Sequence, residues 1–415
     1  MRKKTIEQVD VRGKRVLVRV DFNVPLDDAG AITDDRRIRL SLPTLRSVLA
    51  RGGKLILMSH LGRPEGKGFE PDGTLKPVAE RLRELLGSDA PHGVQFPSND
   101  PVDDAAAKAV AALPDRGVLL LDNLRFAKGE KKGDAGFAAK LAAYGDIYCN
   151  DAFGTSHRAD ASMYAVPMAM RSATPAKPCV AGFLLAAELE YLMQRLDAPK
   201  RPFVAILGGA KIADKLAAIA NLMAKVDTLI VGGAMAYTLL KAQGVAVGSS
   251  LVQNDFIAEA ERILATAKQA GGGGGGCQIL LPVDHVCGQK LEAGTPTRTV
   301  TGAIPEGWMG LDIGPATIER FANAIRSAGT VVWNGPMGAF ETKPFDAGTR
   351  AVGAAAAAAT AGGTVTIAGG GDTAASLEEF GLAERFSHVS TGGGASLEVL
   401  EGKHLVCLDA LDDAR

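Results

Sequence analysis

Two sets of short apolar runs, each interleaved with helical patterns, constrain this chain more than any other feature. The first set comprises residues 15–21, 54–59, 118–121 and 146–150; the second comprises 203–207, 228–231, 278–282, 330–334 and 364–368. Helical patterns lie between them at 75–86, 211–223, 255–270 and 348–360. Strands that are apolar nearly throughout, rather than at alternate positions, are buried on both faces, and intervening helices supply the cover. The pattern predicts an α/β chain with parallel sheets, and the two sets predict two such domains.

Residues 181–196 carry a helical pattern with no internal break, followed by Pro199 and Pro202. This stretch is read as a single helix linking two bodies that move relative to each other. The chain divides accordingly into residues 1–180, a linking helix at 181–198, residues 199–390 and a closing segment 391–415. A length of 415 residues accommodates this. Fifty glycines are about 12% of the chain, against a usual ~7%. Six of them form one run at 271–276, read as a plain surface loop.

A net charge of −1 argues against a whole-molecule nucleic-acid binder. It conceals a split. Residues 1–185 carry 28 Lys and Arg against 23 Asp and Glu, a balance of +5; residues 186–415 carry 18 against 24, a balance of −6. A chance imbalance or two domains with different ligands gives these numbers. The N-terminus has no apolar stretch of the kind a secretory signal carries, and no apolar run reaches the ~18 residues of a membrane span. Five cysteines without CxxC spacing (149, 179, 277, 287 and 407) read as buried or free thiols of a cytosolic protein. Six scattered histidines offer no zinc spacing.

Ligands of open α/β sheets collect at the carboxyl ends of the strands. In the first half these ends lead into Asp21-Phe22-Asn23, into Ser59-His60-Leu61-Gly62-Arg63, into Asp122-Asn123-Leu124-Arg125 and into residues 151–158, which finish at Arg158. Arg36, Arg37 and Arg39 open the first helix. Guanidinium groups match phosphate and carboxylate oxygens, so this set points to a small, multiply anionic ligand. In the second half the ends are glycine-rich: Gly208-Gly209-Ala210-Lys211, Gly232-Gly233, Asn334-Gly335-Pro336, Gly369-Gly370-Gly371-Asp372-Thr373 and Gly392-Gly393-Gly394. Glycine lets backbone N–H groups approach phosphate oxygens. Lys211 and Lys215, four apart, are placed on one helix face, and Asp372 is a candidate magnesium ligand. Together these predict a nucleotide site. No P-loop pattern occurs. Gly369-x-Gly371-x-x-Ala374 admits a dinucleotide-binding dehydrogenase, although the following strand at 387–390 ends without an acidic residue for a ribose.

Seven strings carry a resemblance: residues 19–25 (RVDFNVP), 59–64 (SHLGRP), 150–158 (NDAFGTSHR), 208–215 (GGAKIADK), 333–341 (WNGPMGAFE), 369–373 (GGGDT) and 390–396 (STGGGAS). In this order they resemble the phosphoglycerate kinase family. The resemblance implies two Rossmann-like domains with parallel sheets covered by helices, joined by a hinge helix, with the closing segment folding back onto the first domain. It implies reversible, magnesium-dependent transfer of the acyl phosphate of 1,3-bisphosphoglycerate to ADP, giving ATP and 3-phosphoglycerate, in a cytoplasmic monomer that acts on neither nucleic acid nor membrane. By motif position it places the triose acid on Asp21, Phe22, Asn23, Arg37, His60, Leu61, Gly62, Arg63, Arg125 and Arg158. It places the nucleotide on Gly209, Ala210, Lys211, Lys215, Gly310, Asn334, Pro336, Glu341, Gly370, Gly371, Asp372 and Thr373, with Glu341 on the ribose and Asp372 on Mg2+. Arg37, Lys215, Gly371 and Gly394 would flank the moving phosphoryl group, and domain closure would exclude water. With Arg37, Lys215 and Asp372 intact, a silent metabolite-binding or scaffold protein is disfavoured.

Two positions depart from the family pattern. Asp160 replaces a usual histidine near Arg158, where a carboxylate would compete with substrate for that arginine or orient it; Asp160→His is expected to tighten 3-phosphoglycerate binding. Asp122 stands for a usual glutamate and shortens its reach. The glycine run at 271–276 resembles an insertion of this chain.

Overall fold

The structure, a computed structural model, describes residues 2–270 and 276–414. The first five residues of the glycine run therefore lie outside the described residues. Two compact units result, one running to Glu190 and taking in the segment from His404 onward, the other spanning Tyr191–Lys403.

In the first unit six strands pair in parallel. They are β1 (Arg15–Val20), β2 (Lys54–Met58), β3 (Val94–Gln95), β4 (Val118–Leu120), β5 (Ile147–Asp151) and β6 (Cys179–Ala181), in the order β3-β4-β2-β1-β5-β6. The central β1 is buried from Val16 to Val20, as its apolar run requires, and Arg19 is buried with it. The helix Arg36–Ala50 lays Ile38, Leu42, Leu45 and Leu49 into the core at helical spacing, which leaves its N-terminal arginines at the end of β1. Asp122, just past β4, is buried and accepts bonds from the Leu75 and Asn123 N–H groups, both at 2.8 Å, and from Thr74 Oγ1 at 3.0 Å. The shortened acid thus fixes the start of the helix Lys76–Leu86. The chain returns to this unit from His404, not from 391: Asp412 N–H donates to the Cys179 carbonyl at 2.7 Å, and Lys4 N–H donates to the Asp412 carbonyl at 2.8 Å.

The second unit repeats the architecture. Its strands β7 (Phe203–Leu207), β8 (Thr228–Val231) and β9 (Gln278–Leu280) are joined, after an insertion, by β13 (Thr330–Asn334), β14 (Val365–Gly369) and β15 (His388–Val389). The parallel order is β15-β14-β13-β7-β8-β9, so the direction of winding switches between β7 and β13. The insertion is a three-stranded antiparallel sheet of β10 (Asp284–Gly288), β11 (Thr297–Thr301) and β12 (Met309–Ile313), ordered β11-β10-β12. Sequence patterning missed it because polar residues punctuate all three strands.

The linking helix needs correction. Ala181 ends β6 and Gly182 is extended, its N–H donating to the Asn150 carbonyl at 2.8 Å. The helix begins at Phe183, runs to Leu189, widens into a π segment at Glu190–Gln194 and closes at Arg195–Asp197. All five cysteines are free and buried. Among the described residues no helix is long and apolar enough to cross a membrane.

Candidate functional site

In the first unit, the loops leaving β1, β2 and β4 are tied to one another. The Asp21 carboxylate accepts from Arg37 Nη1 at 2.6 Å. Asn23 Oδ1 accepts from the Gly62 N–H at 2.8 Å, and the Gly62 carbonyl accepts from Arg125 Nη1, also at 2.8 Å. Phe22 and Leu61 belong to the core, so only their backbone can serve a site; the Phe22 N–H is already held by Ser59 Oγ at 2.9 Å. Arg63 and Arg158 are exposed.

Beneath this layer lies a network that joins His60 to Arg19, Ser162 and Glu130, three residues the sequence reading did not single out. Arg19 donates from Nε to Ser162 Oγ at 2.9 Å, from Nη2 to His60 Nδ1 at 3.1 Å, and from Nη1 to the Val20 carbonyl. Ser162 in turn donates to the buried Glu130, from its hydroxyl at 2.5 Å and from its N–H at 3.0 Å. A guanidinium only donates, so His60 Nδ1 accepts and the ring proton sits on Nε2. Burial, followed by Arg19, Arg125, Arg37 and Arg158, holds the His60 pKa well below 6.5. The result is a neutral N–H donor inside a cluster of cations.

Two outcomes follow. Ser162→Ala removes hydrogen bonds to two charged groups and is expected to lower stability by about 2–3 kcal/mol. Urea unfolding checks this, and an unchanged midpoint would contradict the network. His60 binds its proton less readily folded than unfolded. Its contribution to stability is therefore present above pH ~6.5 and lost as pH falls toward its depressed folded value. Between pH 7.5 and 5.5 the wild type is expected to lose more stability than His60→Gln; equal losses would mean His60 is not held neutral.

Arg125 is 5% exposed, and its Nε has no hydrogen-bond partner. Asp160 lies 4.0 Å from Arg125 Nη2 and 3.9 Å from Arg158 Nε. The Arg158 carbonyl accepts from Cys407 Sγ at 2.9 Å, so the returning C-terminal segment supports this loop.

In the second unit a cavity of about 440 Å³ opens at the carboxyl ends of β7, β13 and β14, beside the switch between β7 and β13. Its lining brings together Gly208, Gly209, Ala210, Lys211, Asp214, Lys215, Asn334, Gly335, Gly370, Gly371, Asp372, Thr373, Gly393, Gly394 and Leu397. Lys215 Nζ donates to Asn334 Oδ1. Burial lowers the Lys215 pKa, opposed by Asp372, Asp214 and Glu401. Asn334 is buried, with no partner on Nδ2, which leaves a donor available. Gly370 has φ +90°, and a Cβ there would sit 3.0 Å from Asn334 Nδ2, so both the turn and the close approach require glycine. The helix Gly371–Glu379 starts without a side-chain cap. Its first N–H groups and positive dipole end are therefore unclaimed by side chains at the cavity wall.

Several expectations change here. Lys211 is not helical. Gly209 has φ +113° and its N–H is held by the Pro336 carbonyl at 3.1 Å, so the chain stays in a loop. It turns only at Ala213–Lys215, and the helix proper is Leu216–Met223. Both lysines still reach the cavity. Gly310, Pro336 and Glu341 do not line it. Gly310 lies in β12, where a Cβ would run into the Tyr237 ring; Glu341 is exposed. Asp214 and Leu397 line the cavity unanticipated, although Asp214 stood beside Lys215 within its motif.

The family model for phosphoglycerate kinase matches residues 6–403. The chain belongs to the phosphoglycerate kinase family. It is 53% identical to the phosphoglycerate kinase of Rhodopirellula baltica over 100% of both chains. It is 51% identical to the cytosolic phosphoglycerate kinase of Triticum aestivum, covering 99% of this chain and 98% of that one. Among solved structures it is similar to the phosphoglycerate kinase of Coxiella burnetii, with TM-score 0.85, 37% identity and 98% of each chain covered. The enzyme of Pyrococcus horikoshii aligns with TM-score 0.81 at 28% identity, covering 99% of this chain and 98% of that one. The dehydrogenase alternative falls with this match, since the glycine pattern at 369–374 belongs to a phosphoglycerate kinase sequence.

Proposed function

We propose that the chain transfers the acyl phosphate of 1,3-bisphosphoglycerate to ADP, reversibly, giving 3-phosphoglycerate and ATP. The full-length family match carries the reading. The chemistry of the two units supports it.

The first unit suits the triose acid. Arg37, Arg63, Arg125 and Arg158 would hold its anionic groups, His60 would donate from Nε2, and Asp21 and Asn23 would take its hydroxyl and carboxyl end. Phe22, Leu61 and Gly62 contribute backbone only. The second unit's cavity suits the nucleotide phosphates, which Gly209, Ala210, Lys211, Asn334 Nδ2 and the helix start at Gly370–Thr373 would receive. Glu341 would take the ribose, and Gly310 and Pro336, which do not line the cavity, would complete the nucleotide site.

An acyl phosphate is already an activated donor, so no covalent enzyme intermediate is needed. The bond between phosphorus and the carboxyl oxygen breaks as a β-phosphate oxygen of ADP bonds to phosphorus, and the carboxylate leaves. Arg37 and Lys215 would neutralise the moving group, with N–H donors at Gly371 and Gly394. Lys215 is suited to this role because burial disfavours its charge, which an arriving phosphoryl group would stabilise.

The cavity's donor set fits Mg2+, which takes one or two carboxylates together with substrate phosphates. Asp372 is exposed at the cavity wall and Asp214 lies in the same lining. When bound there, the ion would neutralise charge on the nucleotide phosphates. A cytoplasmic, monomeric enzyme completes the proposal. The test is a coupled assay with 3-phosphoglycerate, ATP and magnesium. NADH oxidation is expected, with ATP favoured over GTP; oxidation no faster than the blank would overturn the reading.

A further inference from the structure

Asp160 is held in an unusual way. Its side chain is buried, yet the contacts at 4.0 Å to Arg125 and 3.9 Å to Arg158 are not hydrogen bonds. Its Oδ2 has no hydrogen-bond partner, and neither has the buried Nε of Arg125. A carboxylate beside a guanidinium ordinarily takes up the fork of N–H groups. Asp160 instead supplies charge and leaves the donors open. Its negative charge opposes the lowering of the Arg125 pKa by burial and by Arg158.

We propose that Asp160 is a specificity-determining residue: as a charge partner lying between Arg125 and Arg158, it keeps free inorganic phosphate out of the arginine cluster while leaving both guanidinium groups able to bond the triose acid. The inference rests on the function proposed above. Two neighbouring guanidiniums, one of them buried, form a compact site that any small dianion would occupy. A carboxylate about 4 Å from each weakens that attraction at short range. Free phosphate, with nothing tethering it elsewhere, would centre on these two guanidiniums beside the carboxylate and take the repulsion on its full charge. The triose acid is drawn also toward Asn23, His60, Arg37 and Arg63, which would hold its charges farther from the Asp160 carboxylate, so it takes less of that repulsion. The cost falls unequally on the two ligands, and that inequality is selectivity.

Asp160→Asn keeps the shape and removes the charge; Asp160→Glu returns it. Inorganic phosphate binding is measured by calorimetry on the whole chain, alongside the KM for 3-phosphoglycerate. In Asp160→Asn phosphate is expected to bind about tenfold tighter, while the KM falls by no more than about threefold. Asp160→Glu is expected to return phosphate binding to the wild-type value. Phosphate affinity within about twofold of wild type in Asp160→Asn, or equal tightening of both ligands, would overturn the inference. Should Asp160→Asn not fold, Asp160→Ser carries the same comparison. Calorimetry needs no turnover. A wild type that binds phosphate weakly but transfers no phosphoryl group would sink the proposed reaction and leave the phosphate-exclusion result standing.

Discussion

Arg37→Ala is expected to lower turnover by about 10³-fold or more, the range for a guanidinium placed on a transferring phosphoryl group. The fold should survive, because Arg37 is half exposed at the first turn of its helix and the core face begins at Ile38. Its one strong contact is the Asp21 carboxylate, 2.6 Å away. Loss of Arg37 leaves Asp21 uncompensated, so a modest fall in stability accompanies the large fall in turnover. Arg37→Lys should recover only part of the rate, since an ammonium cannot present the planar fork. Steady-state kinetics with thermal unfolding separates the two effects. Near-normal turnover in Arg37→Ala would remove Arg37 from the reaction.

Lys215→Ala is expected to cost about 10²–10³-fold in kcat, the usual loss when one preorganised charge partner of a transition state is removed. The nucleotide KM should change far less, because Lys211, Asn334 and the helix start at Gly371 remain. Stability should hold or rise. Lys215 is partly buried, and burial opposes its charge. Its partner Asn334 would keep its place through the strand pairing of β13 with β7 and β14. A KM rise with kcat preserved would assign Lys215 to nucleotide binding alone.

Much of this was legible in the sequence because the signal was local. The runs at 203–207, 228–231 and 330–334 became strands with the same bounds, since a strand apolar throughout has no alternative but the middle of a covered sheet. Strand-end glycines and arginines marked the loops for the same reason: parallel strands deliver their carboxyl ends to one edge. What was not legible depended on partners distant in sequence. Arg19 looked like one more residue of an apolar strand, and only the fold shows its guanidinium among His60, Ser162 and the Val20 carbonyl. Lys211 and Lys215 have helical spacing, yet a hydrogen bond from Gly209 to Pro336, far along the chain, keeps Lys211 in a loop. The sheet of β10, β11 and β12 carries too many polar residues for its pattern to stand out. The return of the chain at His404 rather than 391 is set by pairing with Cys179 and Lys4, which no local pattern encodes.

The central claim is a single direct transfer, with no phosphoryl group resting on the protein. The stereochemical course at phosphorus tests it most directly. ATP chiral at the γ-phosphorus is turned over with 3-phosphoglycerate, and the configuration of the transferred group is read in the product. Inversion is the result expected of one in-line step between the two ligands. Retention would mean two displacements through an enzyme-bound phosphoryl group, and would contradict the account.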